Sequence, residues 1–553
     1  MDEIYAIGLD YGTESARAIL VDVRSGQIIA KSTEVYPDGV ISEKLPQSDI
    51  VLPNNWALQN PNDWLFVATK LVKEIVSSQL IKPEQVIGLG IDFTSCTLLP
   101  VLADGTPLCW LDGLRSEPHA WPKLWKHHSP QNQADRITQL AQKNDQRWLE
   151  RYGGKVSSEW LLPKALELIE EKPELYEKTE YLVEAADWLT WQLTGRLTRN
   201  TCCAGYKGTW HKKEGYPSKK FLKLINPDLA NLFEEKVKGS MLAPGKKVAN
   251  LTQEWSEKFG LSRECAVSAG IIDAHSAAIG SGLGGSGSMF LIMGTSTCHM
   301  LMSEKEVLVE GISGVVEDGI VPGLFGYEAG QVSVGDIFAW FVDNCVPNEY
   351  KNKAIKEDKS VHDILSEKAV KFKPGEIGLV SLDWWNGCRT PLVDADLTGL
   401  ILGLNLRTKP EEIYRALIEG TAFGTRMIID LFENAGISIS DLKVSGGLTK
   451  NKFLLQIYAD TVNLPIEVAS SQLSSALGAA ILGSVAGGYY ESISKAIEKM
   501  VIPSKKIITP NLEKHEIYSM VYNEYRELVK IFGRNIDSPM KRIIEISNTV
   551  KTI

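Results

Sequence analysis

Two stretches of this chain read almost alike. Residues 5–23, YAIGLDYGTESARAILVDV, give an apolar strand ending at Asp10, a polar tip with Gly12, Thr13 and Ser15, and a second strand beginning near Arg17. Residues 289–300, MFLIMGTSTCHM, set Gly294, Thr295, Ser296 and Thr297 between two apolar runs in the same way. Gly12 and Gly294 are 282 positions apart in a chain of 553 residues, about half its length, which predicts two homologous domains that each open on a hairpin. A glycine at such a tip lets the backbone approach a ligand, and successive turn N–H groups form a nest for an anion. The pattern suits a phosphate, and it also suits an ordinary polar turn. Two tips facing one cleft would clamp one polyphosphate.

Residues 266–282, AVSAGIIDAHSAAIGSG, run from small apolar residues to Asp273 and on into helix formers. This places a carboxylate where a buried strand or loop turns into a helix. Free N–H groups and the helix dipole stabilise a carboxylate there as the anion, so Asp273 reads either as a plain helix cap or as a base. Asp10, at its strand end, is of the type that orients a hydrated Mg²⁺.

Further residues stand at element ends. The strand within VIGLGIDFTSCTLL, 86–99, closes on Asp92, Thr94, Ser95, Cys96 and Thr97, a position that faces a ligand crevice in many α/β folds. Lys207 lies in a glycine- and aromatic-flanked loop, and Glu328 in a turn ahead of an apolar helix; each reads as a substrate contact or as a solvated charge. KVSGGLTKNKFLLQIYADTVNLPIEV, 443–468, gives strand, Gly446-Gly447 turn, helix and strand, with the double glycine opening the helix toward a flat ligand such as adenine. SALGAAILG, 475–483, is a helix of small residues suited to tight packing. The G-x-G-x-x-G at 280–285 follows a helix and lacks the strand a dinucleotide site needs, and GSMLAPGKK, 239–247, misses the spacing and hydroxyl of a P-loop.

A net charge of −10 argues against a nucleic-acid surface, and no run of 18 apolar residues is present to span a membrane. Eight cysteines without C-x-x-C or zinc spacing read as thiols in a reducing compartment; with an acidic start that lacks a signal segment, this predicts a cytoplasmic protein. SGLGGSGS at 281–288 reads as a flexible junction and sets the boundary between domains 1–282 and 283–553.

DYGTESARA, GIIDAH, MGTSTC, TGLILGLNLRTKPEEIYRALIEG, VSGGLTKN and ALGAA, in that order, resemble the FGGY carbohydrate kinases over essentially the whole chain. GIDFTSCT, PHAWPKLWKHH, GYEAGQVSVGD and LDWWNGCRTPLVDADLTG look most like members that act on L-ribulose. The resemblance implies an α/β chain of two actin-like, ribonuclease-H-like domains around a cleft, the first mainly for sugar and the second mainly for ATP. It implies Asp273 as catalytic base and Asp10 as organiser of Mg²⁺. Gly12, Thr13, Ser15, Arg17, Gly294, Thr295 and Ser296 would meet the phosphates, and Gly446, Gly447 and Asn451 the rest of the nucleotide. Ser95, Lys207 and Glu328 would join Asp273 on the sugar. The expected reaction is conversion of L-ribulose to L-ribulose 5-phosphate in L-arabinose catabolism. A kinase for another ketopentose or polyol, and an actin-like ATPase serving as chaperone or filament, are the alternatives. The family also leads us to expect a homodimer.

Overall fold

The computed structural model describes residues 3–79, 81–535 and 537–552. Tyr5–Tyr11 and Ser15–Asp22 pair antiparallel as the first hairpin, and Ser288–Met293 and Thr297–Ser303 as the second. Around each hairpin a mixed seven-stranded sheet is built in the same way. The hairpin's first strand takes a parallel neighbour, Val86–Phe93 in the first sheet and Asp441–Ser445 in the second. Its second strand takes an antiparallel one, Ile28–Val35 and Phe325–Gln331 respectively. Parallel neighbours need long crossovers, and helices Pro61–Ser77 and Pro410–Asn434 lie in them. The repeat in the sequence is thus a repeat in topology.

Ile271–Ile272 also pairs with Val86–Phe93 and leads directly into helix Asp273–Gly280. Against that helix and the first sheet lies Ser474–Ala486, the small-residue helix from late in the chain. Its backbone touches backbone. A Cβ at Gly8 would stand 1.9 Å from the carbonyl oxygen of Ala476, one at Gly90 1.9 Å from that of Ala479, and one at Gly478 1.9 Å from that of Ser276. Ala6, Ile19, Ile271, Phe290, Met300, Ala476 and Ile481, all fully buried, belong to one apolar cluster, so both sheets share a core there.

Helices Leu161–Glu171 and Ala185–Thr194 form the expected scaffold, the second ending on Gly195 at φ 70°. Two expectations are corrected. The 281–288 segment is fastened: Leu283 is buried, the Gly284 carbonyl accepts from Ser494 Oγ at 2.8 Å and the Gly287 carbonyl from Ser440 Oγ at 2.8 Å. Glu328 stands inside strand Phe325–Gln331, and the turn precedes the helix only at 332–334. Sequence patterning missed this strand because all but its first residue are buried, which erases the alternation of polar and apolar positions.

We expect Gly8→Ala and Gly478→Ala each to lower stability by about 1–3 kcal/mol through overpacking. The urea midpoint measures this, and wild-type midpoints in both variants would contradict the contact.

Candidate active site

The ends of three neighbouring strands bring carboxylates together. Asp10 and Asp92 are in register across the parallel pair Tyr5–Tyr11 and Val86–Phe93, and Asp273 follows the short strand that also pairs with the latter. Asp10 Oδ2 receives Arg17 Nη1 at 3.1 Å from the facing strand. Arg17, read as a phosphate ligand, is therefore first the partner of Asp10. Asp92 is fully buried, and neither of its oxygens has a hydrogen bond of ordinary geometry, although Asp10 and Ser276 lie beside it. Burial, and then the charges of Asp10 and Asp273, push its carboxyl well above the usual range. In the sequence Asp92 is marked only by its place at a strand end; the in-register pairing with Asp10 is what brings it into the site.

Asp273 is the first residue of its helix, with Ile272 at the cap position. Oδ1 accepts the Ala274 N–H at 2.7 Å, and the side chain is half-buried. The helix start was expected to hold it as the anion. Instead burial, followed by Asp10, raises its carboxyl to about 7, which outweighs the lowering by the Ala274 N–H and Lys207. The ligand-free site thus contains a base poised near neutrality.

Lys207 and Glu328 meet, although 121 positions separate them in the chain. Lys207 closes helix Thr201–Tyr206, and its Nζ lies 3.2 and 3.1 Å from the two carboxylate oxygens of Glu328. Both residues are buried. Burial works against each charge, and each partner more than offsets it: Glu328 is held below its ordinary value and Lys207 above. His275 Nε2 stands 3.7 Å from Glu328, with the ring stacked on Tyr206; burial lowers it to about 4, so it is neutral. Asp273 interacts electrostatically with both Lys207 and Glu328.

Ser95 sits in the turn that closes Val86–Phe93, half-buried, next to Cys96 at φ 57°. The turn is pinned from behind. Thr94 N–H donates to the Tyr11 carbonyl at 3.0 Å. The buried Lys164 Nζ donates to the carbonyls of Cys96 at 2.5 Å, Leu124 at 2.9 Å and Lys123 at 3.2 Å. Lys164 has no signature in the sequence, since it lies in an ordinary helical pattern.

The hairpin tips are held open toward solvent. Gly12 N–H donates to the Ser15 carbonyl at 3.0 Å and Gly294 N–H to that of Ser296 at 2.9 Å. The N–H groups of Thr13, Glu14, Thr295 and Ser296 have no partner among the described residues. Thr13 Oγ1 accepts from Trp125 Nε1 at 3.2 Å, and the Gly12 carbonyl accepts from Tyr36 at 3.0 Å, so the first tip is fixed. The second is stitched to helix Gly335–Asn344 through Val334 N–H to the Thr295 carbonyl at 2.8 Å.

Gly446, at φ 99°, abuts the second hairpin: a Cβ there would lie 2.4 Å from the Met293 carbonyl oxygen. Gly447 faces open space. A short 3₁₀ turn, Gly447–Lys450, separates the glycines from helix Lys452–Val462, so the double glycine does not itself open the helix. Asn451 does, accepting from Leu454 N–H at 3.1 Å and donating to Ser366 Oγ at 3.2 Å. It lines a cavity of about 720 Å³ with Ser366, Arg415, Lys450 and Phe453, which Gly446 and Gly447 do not line. A second cavity, about 770 Å³, is lined by Lys207, Glu328, Glu159, Trp160 and Arg389, and not by Asp273 or Ser95.

Comparison with known proteins gives this arrangement a context. The model of the N-terminal domain of the FGGY family of carbohydrate kinases matches residues 5–280, and that of the C-terminal domain residues 289–487. The chain is 48% identical to a ribulokinase of Anoxybacillus flavithermus, over 100% of this chain and 99% of the relative. It is 44% identical to a ribulokinase of Mycolicibacterium smegmatis, over 98% and 96%. Among solved structures, a xylulose kinase from Rhodospirillum rubrum aligns with TM-score 0.78 at 19% identity, covering 95% of this chain and 98% of that one. A Plasmodium falciparum glycerol kinase with ADP aligns with TM-score 0.75 at 19% identity and the same coverage, so the actin-like fold is common to all three. With both halves matched and full-length relatives at this identity, the chain belongs to the FGGY family of carbohydrate kinases.

Proposed function

We propose that this enzyme is an ATP-dependent ribulose kinase that converts L-ribulose to L-ribulose 5-phosphate. The observation that carries the reading is the half-buried Asp273, poised near neutrality, which interacts with the Lys207–Glu328 pair and with Asp10, whose hairpin has unpartnered N–H groups at its tip. Full-length similarity to curated ribulokinases supports the choice of sugar. No described helix is long and apolar enough to cross a membrane.

In the mechanism, Asp273 takes the proton of the terminal sugar hydroxyl as that oxygen bonds to the γ-phosphorus. The bond from the γ-phosphorus to the bridging oxygen breaks, and ADP leaves. The free N–H groups of Thr13, Thr295 and Ser296 donate to phosphoryl oxygens as their charge shifts. Glu328 accepts from sugar hydroxyls and Lys207 donates to one, while Ser95 borders the same end of the sheet. Gly446, Gly447 and Asn451 bind the remainder of the nucleotide. Residues 1–282 supply most of the sugar contacts and residues 283–553 most of those to ATP.

The carboxylates fit Mg²⁺. Asp10 and the orphaned, buried Asp92 are hard oxygen donors, and among the described residues no three ligating side chains enclose an ion. That suits a cation that keeps its waters and binds through one or two carboxylates together with phosphates. Asp10, oriented by Arg17, would hold hydrated Mg²⁺, which would supply neutralisation of phosphate charge.

ADP production is measured with MgATP and L-ribulose, D-ribulose, D-xylulose, ribitol, glycerol or no sugar. Strong stimulation by L-ribulose is expected; preference for another compound moves the substrate, and sugar-independent hydrolysis overturns the kinase reading. Asp273→Asn is expected to lower kcat by at least about 100-fold with sugar binding largely kept, since shape survives and basicity does not. Near-normal turnover would remove Asp273 from its role.

The base must be unprotonated in the free enzyme, so kcat/KM for the wild type is expected to fall about tenfold per pH unit on an acid limb centred near 7. The same raised value means that the folded chain binds a proton which the unfolded chain has lost between 3.8 and about 7. This group's contribution to stability therefore decreases as pH rises through that window. A limb centred near 4 would contradict the assignment.

A further inference from the structure

Arg389 is a cation in the sugar cavity that the mechanism leaves unused. It lines the same space as Lys207, Glu328 and Glu159, from a loop of the second half of the chain. That loop is fastened to the strand carrying Glu328: Thr390 N–H donates to the Gly330 carbonyl at 3.2 Å, and Gly330 N–H to Thr390 Oγ1 at 3.2 Å. Glu328 and Gly330 are two apart on one strand, so they present the same face. A Cβ at Gly330 would lie 3.3 Å from Arg389 Nη1 and 3.5 Å from its Cδ. The side chain therefore lies across the bare glycine beside Glu328.

Its donors are not used up there. Cys298 stands opposite Gly330 in the adjacent strand, and Cys298, Glu159 and Glu328 are electrostatic neighbours of the guanidinium. Among the described residues no carboxylate stands within 4.0 Å of the guanidinium, and Glu328 is engaged by Lys207. Arg389 is half-buried and has five N–H donors and no acceptor.

The cavity also gives a direction. Asp273 interacts with Lys207 and Glu328 yet does not line the space that reaches Arg389. A sugar placed with its terminal hydroxyl at Asp273 would pass the Lys207–Glu328 pair and present its other end to Arg389. Hydroxyls suit the carboxylates along this path, because they donate. The carbonyl oxygen of a ketose only accepts, and it matches a group that only donates.

Resting on the ribulose-kinase reading, we propose that Arg389 binds the C2 carbonyl oxygen of the sugar and sets the preference for a ketose over the corresponding polyol. A site built to hydrogen-bond one substrate group discriminates strongly against a compound lacking it, because its buried polar groups are then left unpaired.

The test compares wild type, Arg389→Met and Arg389→Lys on L-ribulose and on ribitol, with ribitol read as a competitive inhibitor where it is not turned over. In Arg389→Met, KM for L-ribulose is expected to rise about 30-fold with kcat changed less than about threefold, because a ground-state and transition-state contact is lost equally. KM or Ki for ribitol is expected to move less than about threefold. Arg389→Lys, which keeps the charge and loses the fork, is expected to fall between on L-ribulose, and it carries the same comparison if the Met variant does not fold. Equal losses on both compounds, or no loss on L-ribulose, would overturn the inference. Failure of the ribulose reading itself shows separately, as absence of L-ribulose-stimulated ADP formation in the wild type.

Discussion

The site depends on one close contact, the laying of helix Ser474–Ala486 backbone-to-backbone on the first sheet and on helix Asp273–Gly280. Glycines at 8, 88 and 90 in the strands and at 280, 478 and 483 in the helices remove the side chains that would keep these elements at ordinary distance. The approach matters because Asp10 and Asp92 close the two strands it covers and Asp273 opens the helix it touches. A looser contact would relax the spacing of three carboxylates whose mutual repulsion helps raise Asp92 and Asp273. It also explains why a helix from the second half of the sequence completes the core of the first sheet.

Electrostatics within the site follows from what is paired and what is not. Asp10 has Arg17, and Glu328 has Lys207. Asp273 has only one N–H from its own helix, and Asp92 has none. Burial, and then the charges of the neighbouring carboxylates, lift the latter two, with Lys207 too weak to hold Asp273 down, and the order of effects differs from a simple helix-cap picture, in which the N–H groups would dominate. A buried ion pair is weak evidence for stability, and Lys207–Glu328 is distinguished instead by lining the cavity of about 770 Å³. The cavity on its far side, with Arg389 on one wall and Glu159 among its lining residues, continues the same alternation of donors and acceptors.

Much of this was legible in the chain because it rests on local patterns. The two hairpins, the strand ending at Asp92, the Gly195 helix stop and the small-residue helix depend on apolar runs and turn residues, and all stand where expected. Glu328 reads as a turn residue in the sequence because a strand buried on both faces carries no alternation. The segment at 281–288 has a linker's composition, yet Ser494 and Ser440 tie it down from 210 and 153 residues away. Lys164 and Arg389 had no signature, since what distinguishes them is which carbonyls and which cavity lie opposite.

The sequence by itself determined that the chain is two copies of one hairpin-based unit, that Asp10 and Asp273 end or begin elements, and that the family is a kinase family. The first two follow from spacing and residue type, which act over a few neighbours; the third rests on the resemblance of its motifs. Only the tertiary structure decided that Asp92 faces Asp10, that Lys207 neutralises Glu328, and that Asp273 sits near neutrality instead of as a settled anion. The physical reason is that charge depends on burial and on groups brought from other parts of the chain, and neither quantity exists until the strands and helices pack.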